Sequence, residues 1–281
     1  MRIGFIGAGN VGCSLGRYFI HNNIEVAGYY SRTKESAVEA AKLTETAQFD
    51  TIEAIVRMCD TLFLTVPDGQ IEGVWNQVKS FSIEGKLICH CSGAMSAEVF
   101  SGIHEKGAYG YSIHPMFPFN SKTIPYEMMQ TAFFTVEGSP EKRAELVSLF
   151  EGFGNPVKAL DGENKTKYHA AAVMASNQVV ALMEIAVRLL KKCQFQEEEA
   201  LQALKPLALS NMENILSVGT TKALTGPVER NDVTTVKKHL AELEEDQKRV
   251  YQECSKMLLQ VAGRKYPDRD ECELKKLLEE E

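Results

Sequence analysis

The sequence predicts an α/β fold: an N-terminal doubly wound domain over residues 1–160, followed by an all-α helical domain over residues 161–281. Three observations predict it. A short apolar strand at Ile3-Gly4-Phe5-Ile6 runs into Gly7-Ala8-Gly9-Asn10-Val11-Gly12, and an apolar-periodic run (Val11, Leu15, Tyr18, Phe19) follows as a helix. Strand-like and helix-like runs then alternate up to Leu160. Beyond Asp161-Gly162 the strand pattern almost disappears.

The elements follow in order. Val26–Tyr30 is the second strand, with a helix from Thr33 to Leu43 and a short one around Ile52–Met58. Thr61–Val66 is nearly all apolar, as a strand buried on both faces must be. Pro67-Asp68 ends it, and Ile71, Val74, Trp75 and Val78 mark a helix by their spacing. Leu87–His90 is a strand that exits into the small-residue loop Cys91-Ser92-Gly93-Ala94. Tyr111–His114, Phe133–Val136 and Val157–Leu160 read as later strands, with a helix from Pro140 to Phe153 before the last. Lys165 to Lys192 reads as one long helix, apolar nearly all round and therefore buried, against a second copy of the chain if not its own. Further helices are expected over 197–218, 232–262 (broken) and 269–281, the last strongly charged and solvated.

Bulk properties exclude several classes of function. A net charge of −7 gives no basic surface for nucleic acid or an anionic membrane. No secretory signal and no segment long enough to span a bilayer is expected, and the seven scattered cysteines, with no Cys-x-x-Cys, fit reduced thiols in a cytoplasm.

The glycine run has the pattern of a dinucleotide site. Gly7 permits the tight turn, Gly9 lets a diphosphate approach the backbone, and Gly12 lets the helix pack closely on its strand. Ala8, Asn10 and Val11 complete the loop, whose N–H groups and helix dipole favour an anion. The end of the second strand selects the cofactor. An NAD site places a carboxylate there; this chain has Ser31-Arg32-Thr33-Lys34, which suits the 2′-phosphate of NADP. Val66-Pro67-Asp68, at a strand's carboxyl end, would line the nicotinamide-ribose side, or Pro67 would simply stop the strand.

Cys89, His90, Cys91 and His114 are metal-ligand types, but strand alternation puts His90 on the opposite face from both cysteines, and no metal site is expected. Ser92-Gly93 and His114-Pro115 fall at strand ends facing the cofactor; each histidine there either contacts substrate or nicotinamide or is satisfied by backbone groups. On the long helix, His169, Val173, Ser176 and Asn177 share a stripe by helical spacing, amid alanines that let a ligand or another helix come close. His169 is the expected general acid, with Asn177 and Ser92 completing the pocket and Lys167 in reserve, although Lys167 projects about 160° around the helix from His169. The turn Thr225-Gly226-Pro227 leads to Asp232, a natural N-cap, and to Arg230, which either meets a substrate carboxylate or is simply exposed.

The layout resembles the 6-phosphogluconate-dehydrogenase-like superfamily, an N-terminal Rossmann domain followed by a helical domain, and is similar to pyrroline-5-carboxylate reductases, β-hydroxyacid dehydrogenases and ketopantoate reductases. More narrowly, His90-Cys91-Ser92-Gly93-Ala94, Ser112-Ile113-His114-Pro115, Tyr168-His169-Ala170-Ala171-Ala172 with Ser176-Asn177, and Ala223-Leu224-Thr225-Gly226-Pro227 resemble the family that includes the alternative ketopantoate reductases. The resemblance implies an NADPH-dependent reductase of a small keto acid, with ketopantoate to pantoate in pantothenate biosynthesis as the named expectation, and a homodimer formed through the helical domain. Reduction of an imine such as pyrroline-5-carboxylate and a non-catalytic NADP(H)-binding regulator are the alternatives. One departure bears on the acid. Conventional ketopantoate reductases carry Lys, Asn four residues on and Asn four further on, where the best register here reads His169, Val173, Asn177; Lys165 or Lys167 would then supply the ammonium from a neighbouring turn.

Overall fold

The computed structural model describes residues 1–280. The chain divides into two compact units, Met1–Ser176 and the residues from Asn177 onward.

The first unit is the doubly wound domain. Its elements are β1 (Arg2–Ile6), α1 (Asn10–His21), β2 (Glu25–Tyr30), α2 (Lys34–Thr44), β3 (Ala47–Gln48), α3 (Ile52–Met58), β4 (Thr61–Leu64), α4 (Asp68–Val78), β5 (Leu87–His90), β6 (Tyr109–Met116), α5 (Tyr126–Gln130), β7 (Phe133–Gly138), α6 (Pro140–Gly152), β8 (Val157–Ala159) and α7 (Lys165–Ala175). The sheet order is β3-β2-β1-β4-β5-β6-β7-β8. All neighbours are parallel except β6 and β7, which run antiparallel because the connection between them carries only the short α5 and no crossover helix. Strand alternation sorts the core into two layers. Phe5 and Phe63 face Phe19, Tyr29 and Phe150, whereas Ile6, Leu62 and Leu64 face Ile55, Trp75 and Phe100. β1 lies between β2 and β4, so the chain leaves it toward both sides of the sheet and a crevice opens at the strands' carboxyl ends.

Four sequence expectations differ from the structure here. The first unit extends past residue 160 to Ser176, because α7 packs on the sheet through the buried Lys165. The long helix is interrupted at Ser176, whose φ of −125° and ψ of −72° are not helical, so it forms α7 and, from Asn177 to Lys192, α8. That run is largely exposed, not buried, and Gly162–Lys192 is in fact long and apolar enough to cross a bilayer by length and composition alone. The break at Ser176 and the Arg188–Glu184 ion pair at 2.7 Å divide its apolar surface.

The second unit contains α8, α9 (Glu197–Val218), α10 (Thr220–Ala223), α11 (Val233–Glu242), α12 (Glu245–Lys265) and α13 (Cys272–Glu279). The break expected within 232–262 falls between α11 and α12, and Asp232 caps α11 by accepting from the Thr235 N–H. The terminal helix is only half solvated, since Leu274 and Leu278 join Val236, Leu240 and Leu259 in this unit's core. The loop before α11 is held by the Glu229 carboxylate, which accepts from Lys265 Nζ at 2.8 Å and the Tyr266 hydroxyl at 2.6 Å.

One buried amide fastens the turn before β8. Asn155 accepts from the Tyr18 hydroxyl through Oδ1 at 2.7 Å and donates through Nδ2 to the carbonyls of Met129 and Ala132 at 2.9 and 3.1 Å. Asn155→Ala strands these buried partners and is expected to cost about 2–4 kcal/mol, read as a lower urea midpoint at unchanged slope. A loss under about 0.5 kcal/mol would contradict the role given to this amide.

Candidate functional site

The glycine loop is built as the three glycines require. Gly7 sits at φ +114°, and a Cβ there would meet the Thr65 carbonyl at 2.5 Å. A Cβ on Gly12 would meet Thr65 Oγ1 at 2.4 Å and the Gly7 carbonyl at 2.6 Å. Gly9 differs: nothing lies within 4 Å of its added Cβ, so its missing side chain leaves open space at the start of α1. No side chain caps that helix, and its first turn carries no acid. Beside it lies a cavity of about 420 Å³ lined by Gly7, Ala8, Gly9, Ser31, Arg32, Thr33, Val66 and Pro67 among others. Amide donors, a guanidinium and apolar walls on this scale fit a phosphorylated dinucleotide.

Not every expected cofactor residue joins that cavity. Lys34 pairs instead with Asp50 at 2.7 Å. Asn10 turns its amide to the Phe119 carbonyl at 3.1 Å. Gly12 is buried under Thr65 and acts on packing alone. Asp68, the first residue of α4, accepts from the Ser92 hydroxyl at 2.7 Å and so belongs to the loop after β5.

That loop and α7 form a second cluster. Lys165 is 1% exposed, and its Nζ donates to the Ser92 carbonyl at 3.0 Å and to Ser112 Oγ at 2.8 Å. Burial lowers its pKa to about 8, against the opposing pull of Glu137, Cys91 and Asp68. The Tyr168 hydroxyl lies 2.7 Å from His114 Nδ1. Burial, then the neighbouring charges of Lys165, His169 and His90, push the His114 pKa down to about 3, so the ring is neutral near pH 7. Gly93 lies where the two imidazoles converge: a Cβ there would meet His169 Cδ2 at 2.6 Å and His114 Nε2 at 2.9 Å. His90 is satisfied by the backbone, since Nδ1 accepts from the Ser92 N–H at 3.2 Å and Nε2 lies 3.2 Å from the Ser96 carbonyl. Burial lowers its pKa to about 4.

The expected catalytic set is therefore rearranged. His169 lies at the cluster, beside Gly93. Ser92 is there too, but its hydroxyl donates to Asp68 and accepts from the Ala94 and Met95 N–H groups, so it orients the loop. Lys167 is exposed on the far side of α7, as its angle from His169 requires. Asn177 loses its register with His169 at the Ser176 break and opens α8, exposed, in the other unit. Arg230 is exposed in the second unit. Of the two lysines named with the helix register, Lys165 is the one buried in this cluster, one helical turn before both Tyr168 and His169. Among the described residues, no group of three or more His, Cys, Asp or Glu side chains is placed to hold a metal.

Comparison with known proteins matches two families along the chain, and the second match begins inside the first compact unit. Residues 1–115 match the Rossmann-like domain family. Residues 132–258 match DUF2520, a domain of unknown function. No curated protein matches the sequence. Among solved structures, the chain is similar to protein TM1727 from Thermotoga maritima, at 27% identity and a TM-score of 0.74, over 94% of this chain and 99% of that one. It is similar to the Bacteroides fragilis protein BF3122, whose NADP oxidoreductase activity is proposed, at 24% identity and a TM-score of 0.74, over 92% and 98% of the two chains. Plasmodium falciparum pyrroline carboxylate reductase, solved with NADP bound, is similar at 14% identity and a TM-score of 0.60, over 94% and 96%.

Proposed function

We propose that this chain is an NADPH-dependent reductase of a small imine or carbonyl compound. The observation that carries the reading is the buried Lys165 ammonium at the carboxyl edge of a sheet that also holds the glycine crevice. The pyrroline carboxylate reductase likeness, with NADP in that structure, favours an imine. Ketopantoate is left with only the motif resemblance behind it.

Gly7, Gly9 and the first amides of α1 would hold the diphosphate, and Arg32 with Ser31 and Thr33 the 2′-phosphate. Bound NADPH would supply the hydride. The protein's share is the proton. Ser92 O and Ser112 Oγ fix Lys165 Nζ, which delivers a proton to the heteroatom of the substrate as negative charge develops there. The neutral His114, bonded to Tyr168, adds a polar wall without a competing positive charge.

The acid must be protonated to act, so kcat is expected to fall as pH rises through about 8. Lys165→Met should lower kcat by about 10²–10⁴ and abolish that alkaline limb while NADPH still binds. Near-normal turnover in Lys165→Met together with loss in His169→Ala would return the acid role to His169. No NADPH oxidation by the wild type with any keto acid or cyclic imine would favour the non-catalytic regulator.

Cofactor preference is tested separately. Arg32→Ala removes a charge-assisted phosphate contact worth about 1.5–3 kcal/mol, so NADPH affinity should fall about tenfold to a hundredfold while NADH affinity is nearly unchanged. Equal loss for both cofactors would overturn the preference.

We also propose a homodimer through the helical unit. Val180, Leu207, Leu209 and Leu216 are more than half exposed there, a large apolar surface for a single chain. Light scattering should give twice the chain mass at micromolar concentration, and the mass of a single chain would contradict it.

A further inference from the structure

Residues 117–125 connect β6 to α5 as a strap laid along α1. A surface connection of this kind ordinarily leaves its carbonyls to water. Here one stripe of α1 takes three of them. Asn10 Nδ2 donates to the Phe119 carbonyl at 3.1 Å, Ser14 Oγ to the Ser121 carbonyl at 3.0 Å and Arg17 Nη1 to the Ile124 carbonyl at 3.4 Å. The spacing of 10, 14 and 17 puts all three donors on one face of the helix. Lys122 ties the strap to α2 through Glu39 at 2.7 Å. Just beyond the strap, Tyr126 stacks on His21, with ring centroids 3.6 Å apart, and donates to Asn22 Oδ1 at 3.2 Å. The strap is thus fastened from the first residue of α1 to its last turn.

Two surroundings meet at its first residues. Asn10, which holds the Phe119 carbonyl, directly follows Gly9 in the loop that borders the cavity. At this same end the strap continues β6, which carries His114 bonded to Tyr168. We propose that Asn10, Ser14 and Arg17 are positioning residues that fasten the strap to α1, so that seating the dinucleotide on the glycine loop also fixes the His114 side of the substrate site. The inference rests on the proposed NADPH-dependent reductase and deepens it. It implies that cofactor binding rigidifies residues 117–125, and that a loosened strap weakens cofactor binding even where the altered residue does not line the cavity.

Ser14 makes the cleanest test, since it is buried, does not line the cavity and does not touch the Lys165 cluster. Hydrogen exchange is followed by mass spectrometry over peptides covering residues 117–125, in the full-length wild type and in Ser14→Ala, with and without NADPH. NADPH affinity is measured in parallel. In the wild type NADPH should slow exchange in the strap. In Ser14→Ala the nucleotide-free strap should exchange faster and the NADPH Kd should rise about threefold to tenfold, the size expected from one lost hydrogen bond. The substrate KM should rise with it while the alkaline limb of kcat stays in place, a split that general destabilisation would not give. If Ser14→Ala does not fold, Lys122→Ala loosens the same strap from the surface and is read in the same way. NADPH binding that leaves wild-type strap exchange unchanged, or a looser strap with an unchanged Kd, overturns this inference alone. A wild type that takes up no NADPH overturns the proposed function as well.

Discussion

The site depends on one buried ammonium. An unpaired Lys side chain away from water is costly, and the protein offsets that cost with the Ser92 carbonyl and the Ser112 hydroxyl, which itself lies 3.2 Å from the same carbonyl. These bonds join β5, β6 and α7 at one point, and they explain why α7 belongs to the sheet unit although the sequence changes character before it. They also bear on the proposed proton transfer. The burial that anchors α7 brings the amine to a pKa of about 8, where it can both hold and release a proton near neutral pH.

The surrounding polar groups serve that placement. Ser92 presents its carbonyl to Lys165 because Asp68 and two backbone N–H groups take its hydroxyl. His90 holds the Ser92 N–H from below. Gly93 follows, and two imidazoles occupy the volume its side chain would need, so at this position glycine is required for space. On the other side of β1 the same economy of volume opens the cavity: Gly7 and Gly12 permit close packing, and Gly9 leaves room.

Much of this was legible in the sequence because it rests on local pattern. The glycine spacing, the apolar strands and the loss of strand character after Gly162 each follow from period and turn chemistry, and β1, α1, β2 and β5 fall where those signals put them. What the sequence hid depends on partners distant along the chain. Lys165 and Lys167 are indistinguishable as residue types, and only the direction of α7 against β6 separates a buried amine from a solvated one. Asn177 shares a stripe with His169 only on a continuous helix, and the break at Ser176 carries no Gly or Pro to announce it. Lys34 is paired with Asp50, sixteen residues on, a partner its own turn does not announce. The antiparallel direction of β7 has no local signal for a related reason, since short apolar strands read alike in either direction.

The most direct test of the central claim is the titration of Lys165 itself. With lysine labelled at Cε and Nζ, the Lys165 resonance can be assigned by its loss in Lys165→Met and followed with pH in the intact chain. A buried ammonium held by Ser92 and Ser112 should titrate near pH 8, as its surroundings require. A midpoint at the ordinary lysine value of 10.5 would mean a solvated amine, and would contradict both the anchoring of α7 and the proton-donor role built on it.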